Sequence, residues 1–187
     1  MVNHKFGCEY SMSFHKVNVD DSDLLSKFKC EYPAIEHFIQ NKSVESKNDV
    51  SYIFVDDENN TIMAFCAISC TGISVTACDE NDEEYITSIP TIEIGYFAVD
   101  EGYRSLKWDE TSNKYETLSR AFFLFMIEYI KTISIDCVGA THICLYAVPK
   151  AVSFYKRCGF ECFKDFMNPD EVPFLKNCIP MFYEIDK

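Results

Sequence analysis

Residues 117–134 read TLSRAFFLFMIEYIKTIS, with Leu118, Phe122, Phe125, Met126, Tyr129, Ile130 and Ile133 recurring at steps of three and four. That spacing predicts a helix whose apolar residues extend nearly all the way round. Such a helix is stable only when packed on most of its sides. The segments VSYIFVDDENNTIMAFCAISC at 50–70, TIEIGYFAVD at 91–100 and THICLYAV at 141–148 supply the packing surface, being rich in β-branched and aromatic residues. A buried helix between β-rich runs implies a sheet with helices laid against it.

The remaining segments fill in the order. YSMSFHKV at 10–17 alternates like a half-buried strand, and DDSDLLSKFK at 20–29 places a Ser or Asp cap before apolar residues at helical spacing. Pro33 suits the first turn of a second helix, with Ile35, Phe38 and Ile39 as its stripe, fading over 42–47. The polar run 56–60 predicts a hairpin turn. Pro149 can open a helix reaching about Arg157, Gly159 stands where that helix would end, and FECFKDF and PMFYEI close the chain as strands. The order is strand, two helices, three strands, helix, strand, helix, two strands. This predicts an α/β (α+β) fold with a mixed central sheet flanked by helices.

With 187 residues, 48% of them apolar, the chain can bury one substantial core and is short for two, so one domain over 1–187 is expected. The opening MVNHKFGCEYSMSF has no basic segment leading into an apolar run, and no window approaches a membrane span. A cytoplasmic protein with no membrane partner is expected. The ten cysteines are scattered through apolar runs, which suits reduced core thiols, and the pairs Cys66/Cys70 and Cys158/Cys162 lack zinc-site spacing, so no metal is expected. The net charge of −13 argues against nucleic acid and for an amine-bearing partner. The acidic run CDENDEEY at 78–85 reads as a solvated loop between strands or as a patch that steers a cationic substrate.

Two segments, IEIGYFAVDEGYRS at 92–105 and AVSFYKRCGFE at 151–161, resemble hallmarks of the GNAT superfamily of N-acetyltransferases: its central strand with the acetyl-CoA loop, and its FY-x-x-x-GF helix end. The resemblance implies acetyl-CoA as acyl donor. It implies that the main-chain groups of Phe97, Ala98 and Val99 hold the pantetheine chain and the reacting carbonyl, where donors stabilise the oxyanion. It also implies that Glu93 takes the proton of the attacking amine and that Tyr155 protonates the departing thiolate. Beside these roles stand plainer ones: Glu93 pairing with a neighbouring charge or facing water, and Tyr155 packing one helix face. Cys158 reads as a packing residue, since a covalent acyl-cysteine route needs a partnering base and an exposed thiolate.

The phosphate loop departs from the family pattern. Arg104 matches its first position, but an ungapped reading puts Lys107 and Asp109 where small residues belong. Sliding the second half along makes TLSRAFF at 117–123 the helix start, with Thr117 and Ser119 in place of glycines and about ten residues inserted. The cofactor set is then Arg104, Thr117, Leu118, Ser119 and Arg120, with Lys107 and Lys114 as further counter-charges. Against it, residues 100–117 hold five acids and three bases, and NKYE at 113–116 resembles a capping box that would start the helix earlier. Val148 stands where many members of the family have asparagine.

The implied activity is direct acetyl transfer to a primary amine of a small-molecule or protein acceptor. Two alternatives stay open: a GNAT-fold binding or regulatory module without turnover, and a toxin-like GNAT acting on aminoacyl-tRNA, which FKCEYPAIEHFI at 28–39 faintly resembles. The aromatic residues Phe163, Phe166, Phe174, Phe182 and Tyr183 fill either the core or a homodimer seam.

Overall fold

Alternation and helical spacing resolve into strands β1 (Met12–Lys16), β2 (Val50–Asp56), β3 (Thr61–Cys78), β4 (Glu84–Val99), β5 (His142–Ala147), β6 (Glu161–Cys162) and β7 (Ile179–Glu184). The helices are α1 (Ser22–Leu25), α2 (Pro33–Asn41), α3 (Leu118–Ile133) and α4 (Val152–Arg157). This computed structural model describes residues 11–108, 117–163 and 175–185. Strand order is β1-β2-β3-β4-β5-β7-β6. β4 runs parallel to β5, while β1/β2, β2/β3, β5/β7 and β6/β7 are antiparallel, so the sheet is mixed and the fold is α+β as expected. Among the described residues no helix is long and apolar enough to cross a membrane. Phe166 and Phe174 lie outside the described residues.

The described chain falls into two compact units, residues 11–68 with 95–126, and 69–94 with 127–185. In the first, alternation along β2 sends Ile53 and Val55 into one core with Leu25, Phe28, Phe38 and Ile39 of the early helical region. Phe54 takes the other face and meets Phe122 and Phe125 of α3, with ring centroids 4.7 and 5.4 Å apart. Phe14 of β1 joins them at 4.9 Å from Phe125. The near-complete burial of Leu118, Phe122, Phe123, Met126, Ile127 and Ile130 fulfils the expectation for α3. Each such side chain contributes about 1.5–3 kcal/mol relative to exposure.

One local reading changes. The helix expected over 20–29 shortens to the single turn α1, preceded by a 3-10 turn at Val19–Asp21. Its cap is Asn18, whose side chain accepts from the Asp20 N–H at 2.7 Å while Asp21 accepts from the Asn18 N–H at 2.8 Å. The acidic run is a solvated connection between strands, as expected: β3 ends at Cys78, β4 begins at Glu84, and residues 79–83 between them are exposed. Within the turn the Asp79 carboxylate accepts from the Asn81 and Glu83 N–H groups at 2.8 and 2.9 Å.

In the second unit, Ile73, Cys144 and Phe163 form a small core with Val75, Ile89 and Phe182 against it. The Lys131 ammonium lies 5.0 Å over the Tyr183 ring. α4 ends in a Schellman arrangement. The Phe160 N–H donates to the Tyr155 carbonyl at 3.1 Å and the Gly159 N–H to the Lys156 carbonyl at 3.1 Å. Gly159 is left-handed at φ 94, and the Tyr155 and Phe160 rings close the motif with centroids 6.1 Å apart. A Cβ on residue 159 would stand 3.1 Å from the Tyr183 ring. Gly159→Ala should therefore lower unfolding free energy by about 1–3 kcal/mol in a denaturant titration. Ser153→Ala, at an exposed position of the same helix, should stay within about 0.5 kcal/mol of the parent.

Candidate active site

Beyond β4 the chain folds back on itself before starting α3. The Asp100 N–H donates to the Met63 carbonyl at 2.9 Å, and the Asp100 carboxylate accepts from the Gly102 and Lys29 N–H groups, each at 2.9 Å. The Tyr103 and Arg104 N–H groups both reach the Asp100 carbonyl. The chain leaves after Lys107 and returns at Thr117, and these two residues pair as an isolated bridge. The Leu118 N–H then donates to the Leu106 carbonyl at 2.9 Å and the Ser119 hydroxyl to the Arg104 carbonyl at 3.1 Å. Arg104 and Thr117 to Arg120 are thus brought together across the inserted residues.

Thr117 acts as the cap of α3, its hydroxyl accepting from the Arg120 N–H at 3.3 Å. α3 is described from Leu118 onward; the NKYE residues 113–116 and Asp109 lie outside the described residues. The Ser119 N–H in the first turn meets no acceptor among the described residues. The Arg104 guanidinium is ion-paired with Glu31 at 2.6 Å on a partly exposed surface. Ala98 and Val99 are buried and the Phe97 ring meets Phe123 edge-on at 4.9 Å, so these three side chains serve packing.

One network pins this loop. The Tyr103 hydroxyl donates to the Asp56 carboxylate at 2.9 Å and accepts from the Thr61 hydroxyl at 2.7 Å. Asp56 is only 1% exposed, and it also accepts from the Glu58 and Asn59 N–H groups and the Asn59 side-chain amide. Burial pushes its carboxyl pKa up, but these donors outweigh burial and hold it below the usual carboxylate range. Burial, together with the Asp56 charge, pushes the Tyr103 phenol up. A cavity of about 460 Å3 opens beside the network, lined among others by Leu24, Lys27, Phe28, Tyr103 and Leu106.

The two proposed proton-transfer residues belong to the second unit. Glu93, half-buried on β4, pairs in register with Cys144 of β5. Tyr146 lies two residues on and therefore on the same face. Burial, with the Glu93 charge adding to it, pushes the Cys144 thiol and the Tyr146 phenol each up to about 12. Tyr155 stands in the last turn of α4, its ring 5.2 Å from Phe154 and clamped by the Schellman contact to Phe160.

No protein-family model matches the chain, and no curated protein matches it in sequence. Among solved structures it resembles a bacterial toxin, 16% identical over 94% of this chain and 92% of that one, with TM-score 0.69. It also resembles AtaTR bound with AcCoA, at 18% identity over 93% of each chain and TM-score 0.63. Tetrahymena GCN5 follows at 13% identity over 93% of this chain and 96% of that one, with TM-score 0.55. The chain has the fold of these proteins, the GNAT fold.

On this GNAT fold, three residues escaped the sequence reading. Asp56 reads as part of a hairpin turn, and its partner Tyr103 lies 47 residues away. Tyr146 reads as one more strand aromatic, and only the register of β5 against β4 sets it on the face of Glu93. Alternation within THICLYAV was the available signal. Tyr103→Phe removes a donor from a buried carboxylate and should cost about 2 kcal/mol of unfolding free energy at pH 7. Because the folded-state pKa of Asp56 is depressed, that contribution is present above the ordinary carboxylate range and is lost as pH falls through the folded-state value. Denaturant titrations of parent and variant at pH 7 and pH 3 should show the difference shrinking at the lower pH.

Proposed function

We propose that residues 1–187 form a single-domain, acetyl-CoA-dependent N-acetyltransferase that transfers acetyl directly to a primary amine of a small-molecule or protein acceptor. The observation that carries this reading is the closed joint between β4 and α3. Hydrogen bonds from Leu118 and Ser119 to the Leu106 and Arg104 carbonyls restore next to the helix start the arginine that the insertion separates from it in sequence. The likeness of fold to AtaTR bound with AcCoA supports the choice of donor.

In this reading the pyrophosphate is met by the Ser119 N–H at the positive end of α3 and by the Arg104 guanidinium exchanging Glu31 for phosphate. The Ser119 hydroxyl already gives its proton to the Arg104 carbonyl and so holds the joint closed, while the Thr117 hydroxyl accepts from the Arg120 N–H and keeps its own proton for a phosphate oxygen. The main-chain groups of Phe97, Ala98 and Val99 hold the pantetheine arm and the thioester carbonyl. Glu93 takes one proton from the ammonium, and the freed amine attacks the carbonyl carbon. Collapse breaks the C–S bond as Tyr155 gives its proton to the thiolate. The second proton lost by nitrogen restores Tyr155, and Glu93 returns its own to solvent.

A toxin-type role is a second reading, favoured by the higher TM-scores to the bacterial toxin and AtaTR than to GCN5. The net charge of −13 weighs against its aminoacyl-tRNA version.

Calorimetric titration with acetyl-CoA tests the donor site. Arg104→Ala should weaken binding about tenfold, whereas Glu31→Gln, which releases the guanidinium, should tighten it about threefold. Unchanged affinity in both variants would remove Arg104 from the site. Absence of saturable binding by folded protein at millimolar cofactor would overturn the enzyme reading in favour of a binding module.

A further inference from the structure

The cavity of about 460 Å3 beside the Asp56–Tyr103 network lies wholly in the first unit. Its volume falls within the range of about 300–1,000 Å3 that small ligands occupy. Leu24, Phe28, Ile62 and Leu106 give it apolar wall, and the charged groups among its lining residues are Lys27, Asp56 and Asp100. These three charges differ in what they have left to offer. Asp56 is filled: Oδ1 accepts from the Glu58 and Asn59 N–H groups, and Oδ2 from the Asn59 side-chain amide and the Tyr103 hydroxyl. Asp100 accepts one N–H at each oxygen, from Gly102 and Lys29, so each oxygen keeps a lone pair free. Lys27 forms no ion pair with Asp100 or with any other acid among the described residues. One cavity thus holds an acid with no counter-cation and a lysine with no counter-acid, set against an apolar wall.

That combination selects by charge. A simple ammonium gains Asp100 but is repelled by Lys27, and a simple carboxylate gains Lys27 but faces Asp100 and the fixed charge of Asp56. A molecule bearing both charges gains both attractions. Glu58 and Glu101, exposed and next in sequence to lining residues, stand outside the lining and act through water, where attraction fades over about 8 Å. The wall favours an apolar body beside the charges through the water it displaces. We infer that this cavity binds an apolar α-amino acid as its zwitterion, the ammonium on Asp100, the carboxylate on Lys27 and the side chain against Leu24, Phe28 and Leu106. Lys27 is exposed, and its flexible stem closes onto the carboxylate. None of the lining residues carries a role in the proposed donor site or in proton transfer, so binding here is independent of acetyl transfer.

The test is calorimetric titration of the full chain with L-phenylalanine, 2-phenylethylamine and 3-phenylpropanoate, which share a ring and carry both charges, the cation alone and the anion alone. L-Phenylalanine should bind about tenfold or more tightly than either, and about tenfold or more tightly than L-serine, which has both charges and no apolar body. Lys27→Gln should weaken L-phenylalanine about tenfold without weakening 2-phenylethylamine, and Asp100→Asn should weaken it about tenfold without weakening 3-phenylpropanoate. Should either variant fail to fold, nuclear Overhauser contacts between the phenyl protons and the Leu24 and Leu106 methyl groups of the parent protein decide the point. Equal or tighter binding of either singly charged ligand, no binding of L-phenylalanine, absence of those contacts, or competitive displacement by acetyl-CoA overturns the inference. If L-phenylalanine binds and acetyl-CoA does not, the amino-acid site stands and the enzyme reading falls. If acetyl-CoA binds and L-phenylalanine does not, the reverse holds.

Discussion

The ionised carboxylate of Asp56, almost wholly removed from water, can exist only because donors surround it. Its own hairpin turn provides three, from Glu58 and Asn59, and the fourth comes from Tyr103 beyond β4. A buried charge left short of one donor is costly, so the tyrosine and the carboxylate hold one another in place. Because Tyr103 is fastened, so is the turn from Asp100 to Leu106, and with it the carbonyls on which α3 begins. The candidate cofactor residues inherit their arrangement from that attachment.

The FY-x-x-x-GF signature also has a purely mechanical content. Tyr155, Gly159 and Phe160 occupy the positions that a Schellman end requires, with glycine in the left-handed region and an aromatic contact across the turn. The motif therefore fixes where the Tyr155 ring sits whether or not its hydroxyl transfers a proton. Helix termination by itself accounts for the spacing of Tyr155, Gly159 and Phe160.

How much of this was legible beforehand differs by element. The order of strands and helices could be read from periodicity and from Pro33, Pro149 and Gly159, since these signals act over a few residues. The length of α1 could not, because Asn18 caps an intervening 3-10 turn and takes up residues that helical spacing alone assigns to the helix. The start of α3 was legible as TLSRAFF. The ion pair that engages Arg104 was not, because its partner Glu31 is 73 residues away. Tyr146 joined the site only through the register of two strands separated by a helix.

By itself, the sequence determined the periodic elements, their order and the terminating glycine of α4. Those follow from local sterics, capping and the distribution of apolar side chains. Tertiary structure alone decided that Leu118 and Ser119 bond back to the Leu106 and Arg104 carbonyls, that Arg104 is engaged by Glu31, and that Glu93 shares a face with Tyr146. Those depend on hydrogen bonds and strand register between residues far apart in the chain, and no local preference encodes which distant partner a donor or a strand will find.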